Sequence, residues 1–498
     1  MCGISGLLNH SNQQVDSKLI IKKIVNIQNN RGPDDNGLWE SECKKVFFGH
    51  NRLSIIDLSK SGKQPFISSD GNFIITFNGE IYNFLELRTE LIKKKINFKS
   101  NTDTEVIIES YKFWGLSFLN KLRGMFAFAI WDKNKKKLIL ARDPFGIKPL
   151  YYTQKKNIFY FASQIKSLLS INNLSFQKSE AAIVSYYLWG NIQEPLTLYK
   201  EINSVKRGTC KIINDNGTEK NFEYSNIKNT ILDAEPIKFA NEQDSTEYLK
   251  DIIDETVEYH QVSDIPITFL LSAGVDSSVL LASIKEKNKK NCSALTLDFN
   301  YTDKQNESML AKKTALKNNI NHNTETINDY ELINLIKNFF NNMDSPTNDG
   351  LNNFAVAHFV KKNNSKIMIS GVGADELFGG YPSFKRIPVL NKLFRFIPKN
   401  KFLNNFFKTN ILKILKNSRI NTKYSGIFEY ARDIDTAFLL QRSLFLPSEI
   451  EEILSPEIFK LGFEELNTIE NLKNDIKDIR EKELAIMYLE IKHYLCSK

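Results

Sequence analysis

Short apolar runs broken by turns dominate the first two hundred residues of this chain. Residues 3–8 (GISGLL), 45–57 (KVFFGHNRLSIID), 72–81 (NFIITFNGEI), 125–132 (MFAFAIWD), 137–143 (KLILARD) and 157–163 (NIFYFAS) gather apolar side chains over strand-like lengths. Two stretches carry the helical period instead. Asn83–Lys95 and Thr102–Trp114 place apolar residues three and four apart, and Asn83 and Thr102 stand where a capping side chain opens a helix. Residues 1–210 therefore read as a layered α+β domain with antiparallel sheets. From 211 to 245 the chain turns polar and reads as a surface excursion and linker.

The pattern then changes class, marking a second domain over 246–498. A helix from Ser245 to Tyr259 precedes the apolar strand ITFLL (267–271), a Gly/Ser turn, the helix SSVLLASIKEK (277–287) and the strand SALTLDF (293–299). Strand, turn, helix, strand is the start of a parallel α/β sheet. A later strand, KIMIS (366–370), runs into Gly371-Val372-Gly373 and the acidic pair Asp375-Glu376. Beyond Phe384 the pattern is mostly helical, and no internal repeat is found.

Size and composition support this division. A chain of 498 residues exceeds one ordinary core, since domains run to about 100–200 residues. With 42% hydrophobic and 25% charged residues it is neither disordered nor fibrous. The net charge of +9 comes from scattered lysines, including Lys93-Lys94-Lys95 and Lys135-Lys136-Lys137. Without an Arg-rich stripe interleaved with aromatics these read as solvated faces, so nucleic acid is not an expected partner. Five dispersed cysteines, Cys2, Cys43, Cys210, Cys292 and Cys496, offer neither zinc spacing nor a disulfide framework, and fit a reducing, cytoplasmic setting. No stretch approaches the ~18–20 apolar residues of a membrane span, and the N-terminus lacks signal-peptide order, so residue 2 is expected near the mature N-terminus.

That position gives Cys2 its interest. Removal of Met1 would leave one residue bearing both a thiol and the chain's free α-amine, which titrates near neutrality and can take the thiol proton directly or through water. Taken alone, a Cys after Met is a small buried residue. Five blocks in order surround it: MCGISG; Arg31-Gly32-Pro33-Asp34-Asp35; Gly49 to Asp57 (GHNRLSIID); Asn78-Gly79-Glu80-Ile81-Tyr82-Asn83; and Thr102-Asp103-Thr104-Glu105-Val106. Together they resemble the N-terminal-nucleophile, or class II, glutamine amidotransferases. Glutamine presents an α-carboxylate, an α-ammonium and an amide, so its site needs a cation, anions, a nucleophile and an oxyanion hole. Arg52 would clamp the carboxylate, and Asp103 with the Glu80 region would hold the ammonium. The Asn78 side chain and the Gly79 N–H would serve as oxyanion donors, although Asn-Gly by default is a hairpin turn. The resemblance also brings Leu53, Ser54, Ile55 and Ile56 to the glutamine site.

The second domain carries its own constellation. Leu271-Ser272-Ala273-Gly274-Val275-Asp276-Ser277-Ser278 lies between strand and helix, where small residues expose backbone N–H groups and the helix N-terminus favours a phosphate. It resembles the SGGxDS loop of enzymes that split ATP into AMP and pyrophosphate, and Ser370 to Tyr381 (SGVGADELFGGY) resembles the partner motif of asparagine synthetases. The resemblance to that glutamine-hydrolysing family runs from Met1 to about Tyr381 and thinly beyond.

It implies an N-terminal Ntn-hydrolase-type αββα sandwich followed by a parallel-sheet α/β ATP-pyrophosphatase domain with a helical C-terminal part. It also implies Mg²⁺ held by Asp276 and Asp375, with ATP near Leu271, Ser272, Gly274, Asp276, Ser277, Ser278, Leu297, Ser370 and Gly371. The implied reaction adenylates aspartate and lets ammonia from glutamine displace AMP. Read without the resemblance, Asp375-Glu376 is helix N-terminal charge. Arg142 to Tyr152 (RDPFGIKPLYY) also matches the family and is expected to join the two sites, and a homodimer is the expected assembly.

Three departures bear on the second half-reaction. Val372 stands where the family carries a Glu thought to assist acyl-adenylate formation and ammonia attack, and valine cannot accept a proton. Asp344-Ser345-Pro346 and Asp349-Gly350-Leu351-Asn352 replace the acceptor-side pattern of aspartate users and resemble a branch linked to surface polysaccharides. Ala273 and Gln164 are milder changes, at positions usually Gly and Glu. The segment Met487–Lys498 leads in the family into a further basic stretch, so a C-terminally shortened chain is expected. The alternatives to an asparagine synthetase are an amidotransferase of another carboxylate and a binding or regulatory protein with an inactive synthetase domain. A β-lactam-forming cyclase is disfavoured, because such proteins lack a working Cys2.

Overall fold

A computed structural model describes the chain except residues 12–15, 173, 300–304, 399–403, 405, 408–409, 412–420 and 498. Twelve strands build the N-terminal half: β1 (Gly3–Asn9), β2 (Asp35–Glu40), β3 (Val46–Arg52), β4 (Phe66–Ile67), β5 (Phe73–Ile81), β6 (Gly124–Asp132), β7 (Lys137–Arg142), β8 (Tyr151–Lys155), β9 (Ile158–Ala162), β10 (Asn203–Ser204), β11 (Thr209–Asn214) and β12 (Glu219–Glu223). They form two six-stranded sheets, ordered β10-β8-β9-β1-β3-β2 and β12-β11-β7-β6-β5-β4, and their paired neighbours run antiparallel.

The sheets face each other across Ile4, Leu8, Phe48, Ile74, Ala129, Phe159 and Phe161, all fully buried. The helix Ser17–Ile27 covers the outer face of the first sheet through Ile21, Ile24 and Val25. Helices Phe84–Lys93 and Asp103–Trp114 cover the second through Leu87, Leu91, Val106 and Ile107. This is the αββα sandwich expected. Thr102 caps its helix by accepting from the Glu105 N–H (3.1 Å), as its sequence position predicts. Asn83 does not cap: its amide bridges away, donating to Lys121 O (2.9 Å) and accepting from Arg123 N (2.9 Å).

The stretch 211–245 is not a linker throughout. β11 pairs with β7, and β12 pairs with β11 at the sheet edge, so the antiparallel layer runs to Glu223. β12 escapes the hydrophobic pattern because it is a largely exposed edge strand, EKNFE, with no apolar face to alternate.

The second half opens with the helix Glu242–His260 and a four-stranded parallel sheet ordered β15-β14-β13-β16: β13 (Ile267–Leu270), β14 (Cys292–Phe299), β15 (Asn321–Ile327) and β16 (Ile367–Ile369). β15, NHNTETI, is polar and mostly exposed, so it carries no strand signal in the sequence. The later helices gather around Ile387, Phe438, Leu439, Ile450, Leu472 and Ile486, and Leu188 and Trp189 of the N-terminal half join that core. Part of the helical region expected beyond Phe384 lies outside the described residues. Among the described residues no helix is long and apolar enough to cross a membrane.

Candidate active sites and family

Cys2 lies just before β1, with its sulfur accepting the Leu53 N–H at 3.3 Å and its carbonyl accepting Arg31 Nε at 2.9 Å. Burial pushes the thiol pKa up, against an opposing pull from the chain's N-terminus. The α-amine of Met1 shares this pocket, and burial lowers its pKa to about 5. The Met1 amine is therefore neutral at pH 7 and able to accept a proton. While Met1 is attached, the Cys2 nitrogen is an amide and has no such capacity.

The acidic groups expected for an ammonium are brought together here. Burial raises Glu80 to about 7, against the opposing pull of Lys148, while Asp103 and the terminal amine also act on it. Asp103 is raised by burial to about 6, although its carboxylate accepts the Ile81 N–H at 3.1 Å. Asn78 is 1% exposed and its side-chain amide nitrogen has no hydrogen-bond partner, as a waiting oxyanion donor requires. Asn78-Gly79 is not a hairpin turn. Both residues lie within β5, where a Cβ on Gly79 would stand 2.2 Å from Met125 O.

Arg52 is placed differently from an open carboxylate clamp. Its guanidinium donates to the carbonyls of Ile56 (3.4 Å), Asp57 (2.5 Å) and Ser59 (3.1 Å), folding the loop Leu53–Asp57 over the site. His50, inside the same block, is fully buried against Thr76 Oγ1 (3.0 Å) and is kept neutral by burial, with a pKa of about 3. Its place is structural.

Lys148 is the participant that the sequence block contains without marking. It is buried, its pKa is lowered by desolvation against the pull of Glu80, and it faces Cys2 electrostatically. Asp143 fixes the turn that presents it, accepting the N–H groups of Phe145 (3.1 Å), Ile147 (3.0 Å) and Lys148 (3.0 Å). Arg142 locks the same turn by donating to Lys148 O (2.8 Å) and Gly146 O (2.7 Å) and by pairing with Glu194.

The second site is a cavity of about 900 Å³ at the ends of β13, β14 and β16. Leu271, Ser272, Gly274, Asp276, Ser277, Leu297, Ser370, Gly371 and Asp375 all line it. Ser278 is not among its lining residues, and its hydroxyl instead donates to Gly274 O at 2.8 Å. Burial, and then the Asp375 charge, raise the Asp276 pKa, so the two carboxylates repel across the cavity and present the donor set a divalent cation would relieve.

The sequence reading missed Glu376 and Tyr381 as lining residues. Glu376 is 2% exposed, accepts the Tyr381 hydroxyl at 3.0 Å, and leaves its second oxygen without a partner. Val372, by contrast, is 74% exposed. Of the altered acceptor-side segment, Asp349 lines the cavity but Asp344 turns toward the N-terminal half. Its carboxylate accepts the N–H groups of Ile165 (2.7 Å) and Lys166 (2.9 Å), capping the short helix for which Gln164 offers no side-chain cap.

A glutamine amidotransferase domain matches residues 1–225, and asparagine synthase matches residues 248–497. The chain belongs to the asparagine synthase family. Asparagine synthetase [glutamine-hydrolyzing] 1 of Bacillus subtilis is 36% identical over 405 residues, covering 80% of this chain and 61% of that protein. Amidase chry2 of Gibberella zeae is 31% identical, covering 77% and 60%. Asparagine synthetase [glutamine-hydrolyzing] 2 of B. subtilis is 32% identical, covering 76% and 52%. The chain thus spans between 52% and 61% of the length of these three relatives.

Proposed function

We propose that this chain is a glutamine-dependent asparagine synthetase that converts ATP, aspartate, glutamine and water into AMP, diphosphate, asparagine and glutamate. The observation that carries the proposal is the pairing, in one chain, of a buried cluster of Cys2, Lys148, Glu80 and Asp103 with a cavity lined by Ser272, Gly274, Asp276 and Asp375.

In the first site the α-amine freed by loss of Met1 takes the Cys2 thiol proton, and the resulting thiolate attacks the glutamine amide carbon. The tetrahedral oxygen is met by the unpartnered Asn78 amide and the Gly79 N–H. Collapse breaks the C–N bond as the α-ammonium returns its proton to the leaving nitrogen, which departs as ammonia, and water then hydrolyses the thioester to release glutamate and the Cys2 thiol. Glu80 and Asp103 hold the substrate ammonium, and Arg52 takes its carboxylate once the loop carbonyls release the guanidinium.

In the second site a carboxylate oxygen of aspartate attacks the α-phosphorus of ATP and diphosphate leaves. Ammonia then attacks the acyl carbon and AMP leaves. Mg²⁺, when bound between Asp276 and Asp375, would neutralise charge on the diphosphate. The free oxygen of Glu376 is the acceptor for the proton that ammonia sheds, a role Val372 cannot fill.

A different carboxylate acceptor is the second reading, favoured by the turning of Asp344 away from the cavity. One assay separates the readings: AMP, diphosphate, glutamate and asparagine measured together with glutamine, Mg²⁺-ATP and aspartate. All four appearing supports the asparagine synthetase. Glutamate without aspartate-dependent diphosphate excludes aspartate as the acceptor. Cys2→Ala is expected to abolish glutamate release and to leave ammonium-driven synthesis intact, and surviving glutaminase activity would remove Cys2 from the mechanism.

A further inference from the structure

The loop Leu53–Asp57 supplies the N–H that holds the Cys2 sulfur and the carbonyls that hold Arg52, yet two of its anchors come from the far half of the chain. Asp34 Oδ2 accepts the Ser54 N–H at 2.7 Å and Lys366 Nζ at 2.6 Å, so a single carboxylate oxygen ties the loop to the synthetase half. Burial opposes the Asp34 charge, but the Lys366 ammonium and the Ser54 N–H together hold its carboxyl below the ordinary range. On the other side of the loop, Asp264 Oδ2 accepts the Asp57 N–H at 2.7 Å, and the Asp264 N–H donates to Ile55 O at 3.1 Å. Ser54, Ile55 and Asp57 are thus each held by a group that belongs to, or is fixed by, residues more than 200 positions away.

We propose that Lys366 and Asp264 are positioning residues for glutamine, acting through the Leu53–Asp57 loop. This rests on the reading of Cys2 and Arg52 as parts of a glutamine site. Neither residue touches the reacting atoms. Each sets the height of the loop over the pocket, and with it the position of the Arg52 guanidinium, whose three carbonyl partners lie within or next to the loop. Their loss loosens substrate binding and leaves the chemistry at Cys2 in place.

The test uses the full chain with Lys366→Met, Lys366→Arg and Asp264→Ala, and reads both glutamate release and amide hydrogen exchange over residues 52–59. Lys366 and Asp264 are at least partly exposed, and a melting curve checks that each variant folds. Lys366→Met and Asp264→Ala are expected to raise KM for glutamine about three- to tenfold, the range for losing a partly exposed charge-assisted hydrogen bond, with kcat within about twofold. Lys366→Arg is expected to restore KM. The Ser54 amide should lose protection in Lys366→Met, and the Asp57 amide in Asp264→Ala. Unchanged KM or unchanged protection in both variants would overturn the proposal. A chain without any glutaminase activity would overturn the reading of the site, and exchange at Ser54 and Asp57 would still decide whether Lys366 and Asp264 hold the loop.

Discussion

Glu80, proposed to hold the substrate ammonium, also bears on stability through its buried carboxyl. Its folded pKa of about 7, against an ordinary 4.5, means that the folded chain keeps a proton that the unfolded chain has already lost. The stability linked to that proton is fully present below pH 4.5 and is lost as pH rises through 7. Glu80→Gln is therefore expected to raise Tm at pH 8, by ~2–4 °C for each kcal/mol recovered, while the difference closes near pH 4. The same variant should raise KM for glutamine. In the native chain, glutamine affinity should fall as acid neutralises Glu80 and then Asp103, from about pH 7 to about pH 6. A KM flat across that interval would exclude the two carboxyls from ammonium binding.

The candidate first site was legible only from the blocks taken together: Cys2 alone reads as a small buried residue and Asn78-Gly79 alone as a turn, and the order of the five blocks is what pointed to Cys2, Asn78, Glu80 and Asp103. What escaped depends on distance along the chain. The Asp34–Lys366 pair spans 332 positions, and Asp344 caps a helix 179 positions away, contacts for which no local pattern exists. The block containing Arg52 points to a substrate clamp, and only the fold reveals the loop carbonyls the guanidinium holds meanwhile.

Among elements, β5 is held closely against its neighbour. Register pairs Gly79 with Phe126 on β6, and a Cβ there would stand 2.2 Å from Met125 O and 2.7 Å from Phe126 Cα. Both of those atoms are backbone and cannot step aside. Gly79→Ala is expected to destabilise the N-terminal half by about 2–3 kcal/mol in urea unfolding, and to displace Asn78 enough to depress glutaminase kcat. A neutral outcome would mean that β5 and β6 separate more readily than their pairing implies. The strands legible beforehand were those with an apolar face, such as β1, β6 and β9, whose side chains are buried almost throughout. β12 and β15 were not, since their side chains are mostly exposed and nothing apolar marks them.

At the scale of the molecule the two halves share a helical core. The helix Glu180–Trp189 of the N-terminal half packs against Pro456–Leu466, and a Cβ on Gly462 would meet Glu180 O at 2.4 Å and Val184 Cγ2 at 2.7 Å. His493 stacks on Trp189 with ring centroids 5.4 Å apart, and its Nε2 lies 2.8 Å from Asp475 Oδ2. Gly462→Val is expected to pry this seam open. Calorimetry should then resolve two transitions instead of one, and the AMP formed per glutamate released should fall. One undivided transition at native temperature would show that the seam tolerates the extra volume.

Asp264 and Lys366 stand at the entry ends of β13 and β16, which pair in parallel with Ile267 beside Ile367. The exit ends of the same two strands release the chain into Leu271–Ser278 and Ser370–Glu376 at the cavity. These strands are four and three residues long, or ~10–13 Å. They therefore act as a pair of spacers whose length, counted in residues, sets how far the loop anchors stand from the cavity. Adding or removing one residue in either would turn its side chains to the opposite face and shift one end by ~3.3 Å.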